Sequence, residues 1–288
     1  MFNGTAANSL ALASLCQSYH SIICARTAHV ETDECGAPEF FSNGTKVLLA
    51  PSDDGKISPE AVETMAKCRS DIHYPKPRAV SLTQSTELGT TYAKEELDRI
   101  REAALRHGLR IHMDGARFAN AVAHLNLPPK EVTWKAGVDV LCFGGTKMGL
   151  PFGEAVIFFD RRDAHEFDYR CKQAGQLASK MRFVAAPWIG MIRSGAWLTH
   201  AAHANSMAGL LESRVRGLPG VSVLYPVQAN SVFLRLSPEI TSGLRKRGWV
   251  FHTFIGEGAR FMCSWATKEA DVEELARDIH GLSSHKPA

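Results

Sequence analysis

Two polar residues stand where apolar segments end. Asp114 follows Ile111-His112-Met113, and Lys147 follows Val140–Phe143 across Gly144 and Gly145. In open α/β sheets, ligands gather beyond the carboxyl ends of the strands. Alone, an acid after a strand is commonly a helix cap, and a lysine after two glycines a solvated loop residue. Paired at neighbouring strand ends, they put a carboxylate and an amine on one cleft. The carboxylate can keep a ring nitrogen protonated, and the amine can add to a carbonyl. A third element lies at Asn3-Gly4-Thr5-Ala6-Ala7-Asn8, ahead of an apolar segment with Leu10, Ala11, Leu12 and Leu15. Gly4 permits close backbone approach, and Thr5 adds a hydroxyl and an amide at a helix start, a position suited to phosphate. The same residues also suit an ordinary cap. No Gly-Lys-Ser/Thr follows, so this is not a nucleotide P-loop.

Alternating elements must position these groups. Ile22–Cys24, Val47–Ala50, Ala79–Leu82, Arg110–Met113, Asp139–Phe143 and Ala155–Phe159 read as strands. Between them, Pro59–Asp71 reads as a helix capped by Ser58, and Lys94–His107 as one stopped by Gly108. This alternation predicts a largely parallel sheet with helices on both faces. Residues 161–216 read as mostly helical, broken at Pro187. Beyond them, Val221–Tyr225, Ser231–Leu236, Val250–Phe254 and Arg260–Trp265 read as short strands, Glu269–His280 as a helix and Ser283–Ala288 as a loose tail. The division is a large α/β domain over 1–183, then a helical connector and a small α+β domain over 184–288.

Composition narrows the class. The chain has 288 residues, which at about 150 residues per domain suits two domains. Hydrophobic residues make up 45% and charged residues 22%, which excludes disorder and collagen-like or coiled-coil rods. Thirty-three basic residues against 30 acidic leave a net charge of +3, too little for a nucleic-acid or membrane surface. Cys16, Cys24, Cys35, Cys68, Cys142, Cys171 and Cys263 are odd in number and contain no C-x-x-C pair. That excludes a disulfide framework and a zinc ribbon, and suits a reducing cytoplasm. No apolar run nears the roughly 18 residues of a spanning helix. Leu10–Cys16 is no signal peptide, because no basic segment precedes it. His200 and His203 have no third metal ligand in view, and Asp53-Asp54-Gly55 reads as a turn. No metal site is expected.

The helix start, the acid and the amine are the three anchors pyridoxal 5'-phosphate needs. Asn3–Asn8, Ala28-His29-Val30-Glu31, Asp114-Gly115-Ala116-Arg117 and Gly144-Gly145-Thr146-Lys147-Met148-Gly149 resemble, in order and spacing, the successive motifs of threonine aldolases. These belong to the β-eliminating lyase group of the aspartate-aminotransferase fold, fold type I. The similarity runs from residue 2 to about Trp265. It implies that Lys147 carries the cofactor, Asp114 pairs with its ring nitrogen, and Gly4 and Thr5 bind its phosphate. His29 resembles the histidine that stacks on the ring near the substrate hydroxyl. Arg117 resembles a residue at the phenolic oxygen or substrate carboxylate, and Arg260 the small-domain arginine that clamps the carboxylate. Arg182 resembles an arginine reaching a neighbouring subunit's phosphate. Without the resemblance, His29 reads better as a satisfied core histidine and Arg260 as a surface residue of a short strand, and Arg182 reads equally as a helix-surface charge. Many of these enzymes have a histidine where Glu87 falls. Glu87 is expected either to position the substrate hydroxyl or to be a loop carboxylate.

The resemblance implies retro-aldol cleavage of L-threonine, L-allo-threonine and related β-hydroxy-α-amino acids to glycine and an aldehyde. It also implies a cytoplasmic homodimer or homotetramer. Another fold type I lyase or an aminotransferase would share the cofactor; assaying acetaldehyde against pyruvate or ammonia separates them. A non-catalytic fragment is a further alternative, because relatives carry a strand and several tens of residues before the turn at Asn3-Gly4-Thr5.

Overall fold

Asn3 starts the first helix, α1 (Gly4–Leu15): its side-chain oxygen accepts the Ala6 N–H at 2.9 Å. The computed structural model describes residues 1–69, 71–253 and 258–284. After α1 come β1 (His20–Ala25), the short helices α2 (His29–Thr32) and α3 (Ala37–Phe41), and β2 (Lys46–Ala50). A hairpin of β3 (Ser52–Asp53) and β4 (Lys56–Ile57) turns at Asp54-Gly55. The Ser58 hydroxyl then caps α4 (Pro59–Lys67), as expected. β5 (Lys76–Thr83), α5 (Lys94–Arg106), β6 (Arg110–Gly115), α6 (Phe118–Leu125), β7 (Val140–Gly144) and β8 (Glu154–Phe158) complete this part. The strands form a six-stranded sheet in the order β2-β1-β5-β6-β7-β8. All pairs are parallel except β7 with the edge strand β8. Helices cover both faces, so β1 and β7 are buried along their whole length.

Three helices follow: α7 (Phe167–Gln173), α8 (Arg182–Arg193) and α9 (Ala196–Val215). Pro187 lies inside α8 and does not break it, against the expectation from sequence. Proline removes one hydrogen bond to the carbonyl four residues back. Here the turn before Pro187 lies on the surface, with Phe183, Ala185 and Ala186 exposed, so solvent surrounds the site of the missing bond. The break falls at Gly195, whose φ of 72° is left-handed.

The last part contains β9 (Val221–Val223), β10 (Ser231–Leu236), α10 (Pro238–Lys246), β11 (His252–Thr253), β12 (Ala259–Met262) and α11 (Glu269–Ser283). Its sheet is antiparallel in the order β11-β12-β10-β9, with α9, α10 and α11 packed together beside it. Three strands are shorter than expected: β9 stops at Val223, Val250 and Phe251 precede β11, and the final strand stops at Met262. Phe254 and residues 285–288 lie outside the described residues. One apolar core gathers under the large sheet and includes Trp188 and Ala201; a second joins Met207, Leu211, Val232, Leu234 and Ile279. No helix among the described residues is long and apolar enough to cross a membrane.

Candidate active site

β6 delivers Asp114. Alternation along the strand puts His112 and Asp114 on one face. His112 is fully buried: its Nδ1 lies 2.9 Å from Ser81 Oγ and its Nε2 3.3 Å from Cys142 Sγ. Burial pushes its pKa down to about 4, so a neutral imidazole lies next along that face. Asp114 Oδ1 accepts the Ala116 N–H at 2.9 Å, and Oδ2 accepts Asn8 Nδ2 at 2.8 Å. Asn8 projects from α1 and also donates to Glu34 Oε1 at 2.9 Å. The same Glu34 oxygen lies 2.9 Å from His29 Nδ1. His29, Glu34, Asn8 and Asp114 therefore form one continuous network.

β7 delivers Lys147 through a tight turn. A side chain at Gly145 would come 2.4 Å from the Gly153 carbonyl and 2.6 Å from the Trp188 ring, so only glycine fits. Glu154 holds this turn: Oε2 accepts the Gly145 N–H at 2.8 Å and Oε1 the Thr146 hydroxyl at 2.9 Å. Gly149 ends the turn at φ +116°. His200 Nδ1 lies 2.9 Å from the Met148 carbonyl, and its ring stacks on Trp265. His200 and His203 are thus ties between elements; among the described residues no metal-ligand cluster exists. Lys147 is exposed, yet its ammonium pKa is lowered by desolvation in the surrounding protein and then by Arg117, with Asp114 opposing.

Glu87 approaches from the loop after β5. That loop is pinned by Gln84, whose side chain bonds both the N–H and the carbonyl of Tyr92 at 2.9 Å. Glu87 Oε1 accepts the His29 N–H at 2.9 Å and the Thr83 hydroxyl at 2.8 Å, while Oε2 is buried without a partner. Burial, then the Asp114 charge, pushes its pKa up to about 7. Arg117 follows β6 with a buried, unpartnered Nε, and its Nη2 lies 3.9 Å from Met262 Sδ. Its pKa is lowered by burial and then by the charge of Arg260. Gly4 and Thr5 open α1 close by, and Asn3 takes the Ala6 amide rather than theirs. Arg182 is not brought to this cluster: it is exposed at the start of α8, over the Phe183 ring at 5.1 Å.

Sequence reasoning missed Asn8, Glu34, Glu154 and His200. Asn8 closes the motif that begins at Asn3, and Glu34 lies five residues beyond His29, but neither spacing announces a hydrogen bond across the fold.

The residues fit pyridoxal phosphate. Helix-start amides suit its phosphate, Asp114 its ring nitrogen and Lys147 its aldehyde. The unpartnered Arg117 Nε and Glu87 Oε2 leave a donor and an acceptor for a polar ligand. Fold and site together define a pyridoxal-phosphate-dependent enzyme of fold type I. Residues 1–238 match the model of the beta-eliminating lyase family. The chain is 62% identical over 284 residues to the low specificity L-threonine aldolase of Pseudomonas sp., covering 98% of this chain and 82% of that protein. It is 64% identical over 279 residues to the enzyme of the same name from Pseudomonas aeruginosa, covering 96% and 81%. A solved structure of Leishmania major threonine aldolase superposes with a TM-score of 0.91 at 26% identity, covering 98% of this chain and 83% of that one. The chain belongs to the beta-eliminating lyase family.

Proposed function

We propose that the protein cleaves L-threonine, L-allo-threonine and related β-hydroxy-α-amino acids to glycine and an aldehyde. The observation that carries this reading is that the paired strands β6 and β7 lead to Asp114 and Lys147 at the same end of the sheet, with Asp114 joined to His29 through Asn8 and Glu34. The Pseudomonas relatives are named low specificity L-threonine aldolases.

When bound, pyridoxal phosphate supplies a covalent hold on an amino group and an electron sink beside the α-carbon. The chain's own residues do the rest. The amides of Gly4 and Thr5 bind phosphate at the start of α1. Asp114 keeps the proton on the ring nitrogen. Lys147 would hold the cofactor by its aldehyde, a carbon that would allow exchange between the lysine and the substrate amine. Its lowered pKa supports this exchange, since only a neutral amine adds to a carbonyl. Arg117 and Arg260 grip the carboxylate, a planar target for two forked guanidiniums, and so set which bond stands across the ring. His29 takes the β-hydroxyl proton, directly or through water. Glu87, beside it, holds that hydroxyl. General-base help of this kind contributes about 10²–10⁴-fold.

Two separate cores support a large unit over 1–183 and a connector with a small unit over 184–288, although Trp188 and Ala201 of the connector pack with the first core. We place the enzyme in the cytoplasm as a homodimer or homotetramer, with the exposed Arg182 reaching a partner's phosphate. Gel filtration of wild type and R182A, with and without cofactor, tests that arrangement. The function itself is tested by loading the chain with pyridoxal phosphate, adding L-threonine, and measuring acetaldehyde and glycine. Equal amounts of both are expected; 2-oxobutyrate with ammonia instead would assign an elimination.

A further inference from the structure

Glu34 is only 2% exposed, its side chain has no exposed surface, and its Oε2 has no partner. Its Oε1 receives two groups, Asn8 Nδ2 and His29 Nδ1, both at 2.9 Å. An ionised carboxylate only accepts, so Nδ1 of His29 must carry the hydrogen and Nε2 the lone pair. The His29 side chain is 36% exposed: the ring is open to solvent on one side while its anchor lies inside. We propose that Glu34 is a positioning residue that fixes His29 as the Nδ1–H tautomer and makes Nε2 its basic nitrogen. This rests on the reading of His29 as the group that takes the β-hydroxyl proton. A proton gained at Nε2 makes an imidazolium whose charge Glu34 offsets through the Nδ1–H bond. Asn8 joins the same oxygen to Asp114, so one carboxamide holds both the anchor of the base and the partner of the ring nitrogen.

Charges converge on His29 from several elements. Glu34 faces it from the segment between α2 and α3, Asp114 from β6 and Lys147 from the turn after β7, while Glu87 accepts its backbone N–H. The Glu34 hydrogen bond raises the imidazole pKa most; burial and Lys147 oppose, and Asp114 assists. Glu34's own carboxyl is pushed up by burial and held back by its bonds from His29 and Asn8.

The test pairs nitrogen-resolved histidine NMR on the cofactor-free chain with pH profiles of kcat/KM on the loaded enzyme. E34Q removes the charge in the same shape, so the His29 pKa should fall by about one pH unit. The acid limb of kcat/KM should move down with it. E34A should lose the Nδ1–H preference and lower kcat about 10–100-fold, with KM changed far less. If E34A does not fold, E34Q alone decides. An unchanged His29 titration and tautomer in E34Q would overturn the proposal. The underlying reading fails separately: H29N with full turnover would remove His29 from the reaction while leaving the NMR result standing.

Discussion

The Asn8 carboxamide donates to Asp114 Oδ2 at 2.8 Å, tying the first helix to the end of β6. Both groups are buried, so this bond fixes the direction in which Asp114 presents its free lone pairs. A hydrogen bond to a charged group is worth about 1.5–3 kcal/mol. N8A should therefore weaken pyridoxal phosphate binding by about 10–100-fold, read by absorbance titration. N8D, which would set a third carboxyl between Glu34 and Asp114, should weaken it further. Unchanged affinity in both variants would remove Asn8 from the cofactor site.

Glu87 should make stability depend on pH. Its folded pKa, about 7, lies above the ordinary 4.5 because burial and Asp114 disfavour the charge. The stability it contributes is complete below about pH 4.5 and is lost as pH rises through about 7. Glutamine cannot ionise. E87Q should therefore gain on wild type across that window, by on the order of 3 kcal/mol. Urea unfolding of both cofactor-free proteins at several pH values measures the difference. A difference that stays flat with pH would mean that Glu87 titrates normally.

The turn carrying Lys147 ends at Gly149, where a side chain would meet both a left-handed φ of +116° and the His200 ring, 2.9 Å from the added carbon. G149A should destabilise the protein by about 1–3 kcal/mol, with a Tm lowered by several degrees. In an H200A background the contact part of that cost should disappear and the backbone part remain, giving a measurable coupling. Strict additivity would show that His200 does not press on this turn.

The parallel sheet was legible because its central strands, such as β1 and β7, are buried and read as short apolar runs between amphipathic helices. Asp114 and Lys147 were legible because strand ends are where polar groups meet ligands. Glu34 and Asn8 were not. Asn8 bonds Glu34 and Asp114, 26 and 106 residues away in sequence, and no local pattern encodes such pairings. Pro187 misled because the cost of a missing hydrogen bond depends on solvent access at one carbonyl, which only the packed helix sets. The small-domain strands ran short for a similar reason: apolar residues such as Phe251 pack into the second core without joining its sheet.

The central claim is that Lys147 bears the cofactor. Reducing the loaded protein with borohydride, digesting it and locating the added mass tests it directly. The mass should fall on the peptide containing Lys147, and K147A should show neither that mass nor the visible band of a lysine-linked cofactor. A mass on another lysine, or the band persisting in K147A, would contradict the assignment.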